Sequence, residues 1–347
     1  MAVPTSAPRI PELDGVRGLA ILLVLVGHLF NHLLPEGGGF GVSLFFALSG
    51  YLITTVLIIE HRSKGTISLK HFYIRRARRL LPALTIFLFA FASWALLEGW
   101  SIKRVTHSTL PVFFYSANWS GAVGWGVGHH MDHTWSLSVE EQFYIGWPVF
   151  MLLISRLRLP WLTALGLGIL VVLIRYATVY AFKLPADPIY TLLRYDEILL
   201  GCALALGGFR LPAWVGYLAL SLLLALAAVR GVRLAGNHAG YLLISVVTTA
   251  LVGSATELRW LFNIRLLRHL GRISYSVYLW HFPIWVITSN PWLTLFLTFL
   301  IAELSWRLVE EPILSGKRLR WLTAGSGGAA SAPMSPALPD PAKDRHH

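Results

Sequence analysis

The chain has one cysteine, Cys202, among 347 residues. A single thiol excludes an intramolecular disulfide and any metal site built from several cysteines. Charge is scarce too. Only 13% of residues are Asp, Glu, Lys or Arg, where a soluble domain carries about 25%. Acidic residues are the rarer sign, 17 against 29 Lys and Arg, which leaves a net charge of +12. In a soluble protein that balance would point to nucleic acid. Here the basic residues sit in short segments between apolar runs, where membrane topology accounts for them, and no nucleic-acid partner is expected. The apolar runs are continuous and do not alternate, which argues against a transmembrane barrel. No cleavable signal peptide is recognisable. A polar segment precedes the first apolar run, which is long enough to stay as a helix.

Apolar length is what the chain has in abundance. Hydrophobic residues make up 55% of it, and its mean hydropathy is +0.61. Several runs are long enough to cross about 30 Å of hydrocarbon. The expected fold is all-α, a polytopic integral membrane bundle of about ten transmembrane helices. Their approximate spans are 16–34, 40–60, 80–98, 135–154, 160–182, 190–208, 212–229, 240–256, 273–289 and 292–310. Residues 105–120 are apolar but short, which suits a re-entrant or interfacial piece. With the N-terminus inside, the inner loops hold seventeen Lys and Arg and the outer loops five. That bias predicts a multi-pass cell-membrane protein with both termini cytoplasmic. Residues 321–347 are rich in Gly, Ala, Ser and Pro, too poor in apolar residues to bury a core, and read as a disordered cytoplasmic tail. There is no internal repeat.

Ionisable residues within the apolar runs are the functional candidates, because placing them in hydrocarbon is costly. Arg17 and His28 lie eleven residues apart in R-G-L-A-I-L-L-V-L-V-G-H. On a helix they share a face, separated by about 16 Å along the axis. An imidazole suits the role of general base toward a hydroxyl. The cluster R-R-A-R-R runs from Arg75 to Arg79. Its guanidinium groups suit bidentate binding of phosphate, and a topology signal or anionic-lipid contact is the bland alternative. Gly37, Gly38, Gly39, Gly41, Ser49 and Gly50 read as a tight turn followed by close helix packing. In H-T-W-S-L-S-V-E-E-Q-F-Y, Ser138 and Glu141 have the spacing of a capping box. Glu140 is left over, at the expected outer mouth of the bundle, as a group to orient an imidazole or bind an acceptor hydroxyl. His281, just before Pro283, reads as structural. Arg194, Asp196 and Glu197 sit at a helix start, where acidic groups suit the dipole. Glu303 and Arg307 are spaced to pair.

Five segments in this order resemble the acyltransferase family 3 of membrane proteins. They are P-E-L-D-G-V-R-G-L-A with the R-x10-H pair, F-G-V-S-L-F-F-A-L-S-G-Y-L-I-T, F-Y-I-R-R-A-R-R-L-L-P-A-L, H-T-W-S-L-S-V-E-E-Q-F-Y and S-Y-S-V-Y-L-W-H-F-P. The resemblance makes residues 1–320 a transmembrane acyltransferase 3 domain. It implies transfer of an acyl group, most often acetyl, from cytoplasmic acyl-CoA to a hydroxyl on a cell-surface glycan or on a secondary metabolite such as a macrolide. It maps the catalytic histidine onto His28 with Arg17, and donor-binding arginines onto Arg75, Arg76 and Arg79. Glu140 joins them as a catalytic candidate, and no metal is implied. The chain departs from the family at Ser43, where relatives often carry Asp. Some relatives continue into an extra-cytoplasmic hydrolase-like domain, which this sequence is not expected to hold, leaving acceptor selection to the bundle. Two chemical roles for His28 stay open: general base, or transient acyl carrier as an acyl-imidazole. The alternative reading is a proton-coupled membrane transporter with His28 and His281 as relay groups.

Overall fold

A computed structural model describes residues 10–122, 126–182, 193–229 and 238–315. The tail expected over 321–347 lies outside the described residues. Among the described residues there are helices and no strands. The long elements are α1 (Pro11–Leu29), α2 (Gly37–Lys64), α3 (Leu69–Leu97), α6 (Trp135–Ile154), α7 (Pro160–Tyr176) and α12 (Arg265–Thr288). Shorter ones are α4 (Ile102–Phe113), α5 (Ala117–Ala122), α8 (Tyr195–Gly207), α9 (Ala213–Ala228), α10 (His238–Gly253), α11 (Arg259–Phe262), α13 (Pro291–Ser305) and α14 (Glu311–Leu314). A 3₁₀ turn (His129–Thr134) leads into α6. Wider π turns extend α7 through Ala181 and join α13 to α14.

Helix occupies part or all of each of the ten apolar segments. By length and composition, four helical stretches suffice to cross a membrane: Gly37–Lys64, Leu69–Leu97, Pro160–Ala181 and Pro291–Leu314. The helices Ala213–Ala228 and Gly240–Gly253 are apolar but shorter. The 105–120 segment becomes two short helices. On α4, Val105, Ser108 and Val112 turn inward at helical spacing, as a one-sided helix requires.

Small residues decide how α1 is seated. It runs between α2 and α12, and glycines line both contacts. A Cβ built at Gly15 would strike the Phe262 carbonyl, one at Gly18 the Leu267 carbonyl, and one at Gly271 the Asp14 carbonyl. Gly27 lies against the backbone of Gly37 and Gly38, and Gly41 against the Ala20 carbonyl. Gly50 and Gly201 give α2 and α8 the same closeness. In lipid, where helix association gains little from apolar burial, such backbone approach is a main source of packing energy. The expected packing role of Gly41 and Gly50 is therefore met. These seams fix α1 and α12 side by side, and both histidine-bearing helices lie in that pair.

Candidate active site

His28 stands near the end of α1 and His281 in the second half of α12, just before Pro283. The α1–α12 seam brings them together across 253 residues of sequence, with Nδ1 of His28 3.0 Å from Nε2 of His281. Their rings are stacked, 5.2 Å between centroids and 18° between planes. His281 is fully buried, and its Nδ1 lies 2.8 Å from the Tyr278 carbonyl oxygen. Phe282 is the hub of a wider aromatic cluster, with His28 at 5.3 Å, His133 at 5.2 Å and His129 at 5.7 Å. His133 also meets His281 edge-on at 5.3 Å. Beyond them, on the 3₁₀ turn, His130 packs against Phe91, Trp94 and Trp100. Burial there, with His129 and Arg104 nearby, lowers its basicity. Among the described residues, no group of three or more His, Cys, Asp or Glu is placed to hold a metal ion.

A cleft of about 680 Å³ opens at the other end of α1, lined by Arg17, Arg75, Arg76, Arg79 and Arg272, with Asp14 and Glu311 as its acidic residues. Arg17, Arg76, Arg79 and Tyr144 also line a smaller cavity of about 90 Å³, together with Ser49, Ser136, Glu140 and Tyr278. The two spaces therefore share a wall. Tyr278 links the inner one to the imidazoles, since it lines the cavity and its carbonyl holds His281. The Tyr278 hydroxyl is itself fixed by Ser136 at 2.6 Å and by the His133 carbonyl at 2.9 Å.

The arginines are not equivalent. Arg76 makes a two-pronged ion pair with Glu141, one contact at 2.9 Å, and stacks 3.2 Å above the Tyr144 ring. Arg75 pairs with Glu60 at 3.2 Å. Arg17 has only a loose contact with Asp14, at 3.9 Å. Arg79 has no hydrogen-bond or ion-pair partner among the described residues, and the Nε of Arg272 is buried without one.

Two readings of α6 are corrected. Ser138 and Glu141 form no capping box, because the helix begins earlier, at Trp135, with Thr134 as its cap residue. Ser138 instead accepts from the Ala117 N–H, at 3.0 Å, and Glu141 is the counter-ion of Arg76. Glu140 does not touch His28. It accepts hydrogen bonds from Ser49 and from the Tyr144 hydroxyl at 3.0 Å, in the cavity it shares with Arg17 and Arg76. The partner of His28 is His281, which sequence reasoning had assigned to structure. The signal available was the cost of a second ionisable group in an apolar helix. Arg272 was missed as a cleft residue because only the α1–α12 packing brings it to α3.

A second polar cluster is sealed between α2, α7 and α8. Arg175, fully buried, grips both carboxylate oxygens of Asp196, at 2.9 and 3.1 Å. Arg194 pairs with Glu197 at 2.6 Å, and Ser43 bonds to Glu197 at 3.0 Å and receives Arg194 at 2.8 Å. Asp196 and Glu197 do open α8, but side-chain cations neutralise them as well as the helix dipole. Ser43 thus has a polar role in this cluster. Arg307 pairs with Glu303 at 2.5 Å, and His269 joins them at 2.9 Å.

Comparison with known proteins adds to this geometry. The chain is 30% identical over 353 residues to the peptidoglycan O-acetyltransferase OatA of Listeria monocytogenes, an alignment covering 89% of this chain and 56% of that protein. It is 32% identical over 354 residues to "Putative peptidoglycan O-acetyltransferase YrhL" of Bacillus subtilis, covering 88% and 55%. The chain thus spans a little over half the length of these two relatives. No solved structure matches it. The model of the family described as "Acyltransferase domain" matches residues 10–309, which include the five arginines of the cleft and both stacked histidines. On that match the chain is a member of the acyltransferase 3 family.

Proposed function

We propose that this chain is the membrane unit of an O-acetyltransferase that moves an acetyl group from cytoplasmic acyl-CoA to a hydroxyl of a cell-wall glycan of the peptidoglycan class. Residues 1–320 form that unit in a multi-pass arrangement with both termini cytoplasmic, and 321–347 are its tail. The observation that carries the reading is an arginine cleft sharing a wall with a small cavity, which is lined by the Tyr278 whose carbonyl holds His281 of the imidazole pair. A polyanionic donor docks at Arg17, whose ion pair with Asp14 is loose, and at Arg79 and Arg272, which have no ion-pair partner among the described residues. Arg76 and Arg75, held by Glu141 and Glu60, shape the wall and add positive field. The acetyl end passes Ser49, Glu140 and Tyr144 toward Tyr278. Glu140 serves the donor side and not His28.

In the transfer step, His28 takes the proton of the acceptor hydroxyl as its oxygen bonds to the thioester carbonyl carbon. The C–S bond then breaks, and the proton passes from the imidazolium to the departing thiolate, giving ester and thiol. The glycan acceptor rests on the relatives named for peptidoglycan. The carrier role for His28 makes one distinct demand, an acyl-histidine formed with donor alone.

Donor binding tests the reading. Purified protein in detergent is heated with increasing acetyl-CoA, alongside Arg79→Ala and His28→Ala. Saturable stabilisation that Arg79→Ala loses and His28→Ala keeps is the expected result, with acetyl transfer abolished in His28→Ala. Folded wild-type protein that neither acetyl-CoA nor longer acyl-CoAs stabilise would sink it.

A further inference from the structure

The hydrogen bonds of His281 give it a task that family membership does not. A carbonyl oxygen only accepts, so the 2.8 Å contact with Tyr278 puts the proton on Nδ1 of His281. The other nitrogen of a neutral imidazole then carries a bare lone pair. That nitrogen, Nε2, faces Nδ1 of His28 at 3.0 Å, so the proton between the rings belongs to His28. Applied once more, the rule leaves Nε2 of His28 bare. The chain of bonds runs one way, from His28 to His281 to the main chain, and ends on an atom that cannot pass a proton further.

The surroundings agree with this direction. Nε2 of His28 looks at Gly38, where a Cβ would stand 3.0 Å away, and glycine keeps that atom clear. The titratable groups packed on His281 are His28 from α1, His133 from the 3₁₀ turn and Tyr278 from its own helix. Among the described residues neither ring nitrogen of His133 has a hydrogen-bond partner, and the Tyr278 hydroxyl is taken by Ser136 and the His133 carbonyl. No carboxylate hydrogen-bonds to either stacked ring among the described residues.

We propose that His281 is a positioning residue that holds His28 as its Nδ1–H tautomer, so that Nε2 is the atom that accepts the hydroxyl proton. The task resembles that of the aspartate in a Ser-His-Asp triad. Here a neutral ring anchored on the main chain performs it, which avoids burying another charge in the membrane interior. The catalytic consequence rests on the acyl-transfer reading, whereas the tautomer does not.

The test combines nitrogen NMR of ¹⁵N-histidine-labelled protein in lipid nanodiscs with acetyl-transfer kinetics. The variants are His281→Gln, which offers a carbonyl oxygen near the site of Nε2, and His281→Leu, which offers none. His28→Gln assigns the His28 signals. Wild type and His281→Gln should show His28 protonated on Nδ1 and bare on Nε2, and His281→Leu should move toward the Nε2–H form. In His281→Leu, kcat should fall by about 10²-fold or more, as wrong-tautomer variants of histidine bases do. His281→Gln should recover about tenfold of that, with KM for acetyl-CoA within about twofold in both. A wild-type His28 protonated on Nε2 would overturn the proposal. So would a His281→Leu protein that keeps both tautomer and kcat, or equal kcat losses in Leu and Gln with the tautomer unchanged. A wild-type protein with the expected tautomer but no acetyl transfer would leave the positioning role of His281 standing and remove the enzymatic reading.

Discussion

Arg76 and Arg79 are one turn apart and have opposite situations. Arg76 is locked to Glu141 and lies on Tyr144, while Arg79 has no hydrogen-bond or ion-pair partner among the described residues. Arg76→Gln should therefore lower the unfolding midpoint, because an unpaired Glu141 in the bundle costs about 3 kcal/mol. Arg79→Gln should leave the midpoint unchanged and weaken acetyl-CoA stabilisation. Thermal scans of both variants with and without donor check the pair of outcomes, and equal midpoints would remove the distinction. Gly38 allows a second comparison. Its replacement by Ala brings a methyl group against His28 Nε2, so kcat should drop while donor stabilisation stays. At this scale the sequence showed which ionisable residues are expensive to bury. It did not show that Glu140 accepts a hydrogen bond from Ser49, because that contact spans 91 residues.

At the scale of elements, glycine seams and buried ion pairs decide the arrangement. Gly271→Val would force two side-chain branches into the Asp14 carbonyl and part α1 from α12. Overpacking of this kind costs about 1–3 kcal/mol or more. The expected readout is a large loss of folded protein, with Val at the exposed Gly146, which has open space around its Cβ position, as the tolerated control. The Arg175–Asp196 pair makes a sharper prediction. Arg175→Leu leaves a buried carboxylate unpaired and should cost about 3–5 kcal/mol. The double variant with Asp196→Leu should recover much of that loss. A double variant as unstable as the single one would show that Asp196 gains little from Arg175. Helix positions were legible from apolar run length, and the acidic start of α8 from its sequence. The ends of α6 were not, because Ser138 and Glu141 mimic a cap three residues inside the helix. Their real partners, Ala117 and Arg76, lie outside it.

For the whole molecule, the proposed topology puts the arginine cleft inside and the 3₁₀ turn outside. Cys202 is the single cysteine and is fully buried, so it should resist a membrane-impermeant maleimide. Lys64→Cys, at the exposed end of α2, and Ser101→Cys, exposed in the connection after α3, should then label from opposite sides of the membrane in intact cells. Labelling of both from one side would reject the arrangement. By itself the sequence determined that the protein is helical and membrane-embedded, and that His28 and the arginines are its costly groups. These follow from local quantities: run length, periodicity and the energy of burying a charge. Only the tertiary structure decided which of these groups meet. The pairing of His28 with His281, the entry of Arg272 into the cleft and the removal of Glu140 from the histidine all depend on how α1 lies against α2 and α12. Against α12 that placement comes from backbone contacts between residues as distant in the chain as Asp14 and Gly271, for which no single stretch of sequence carries the signal.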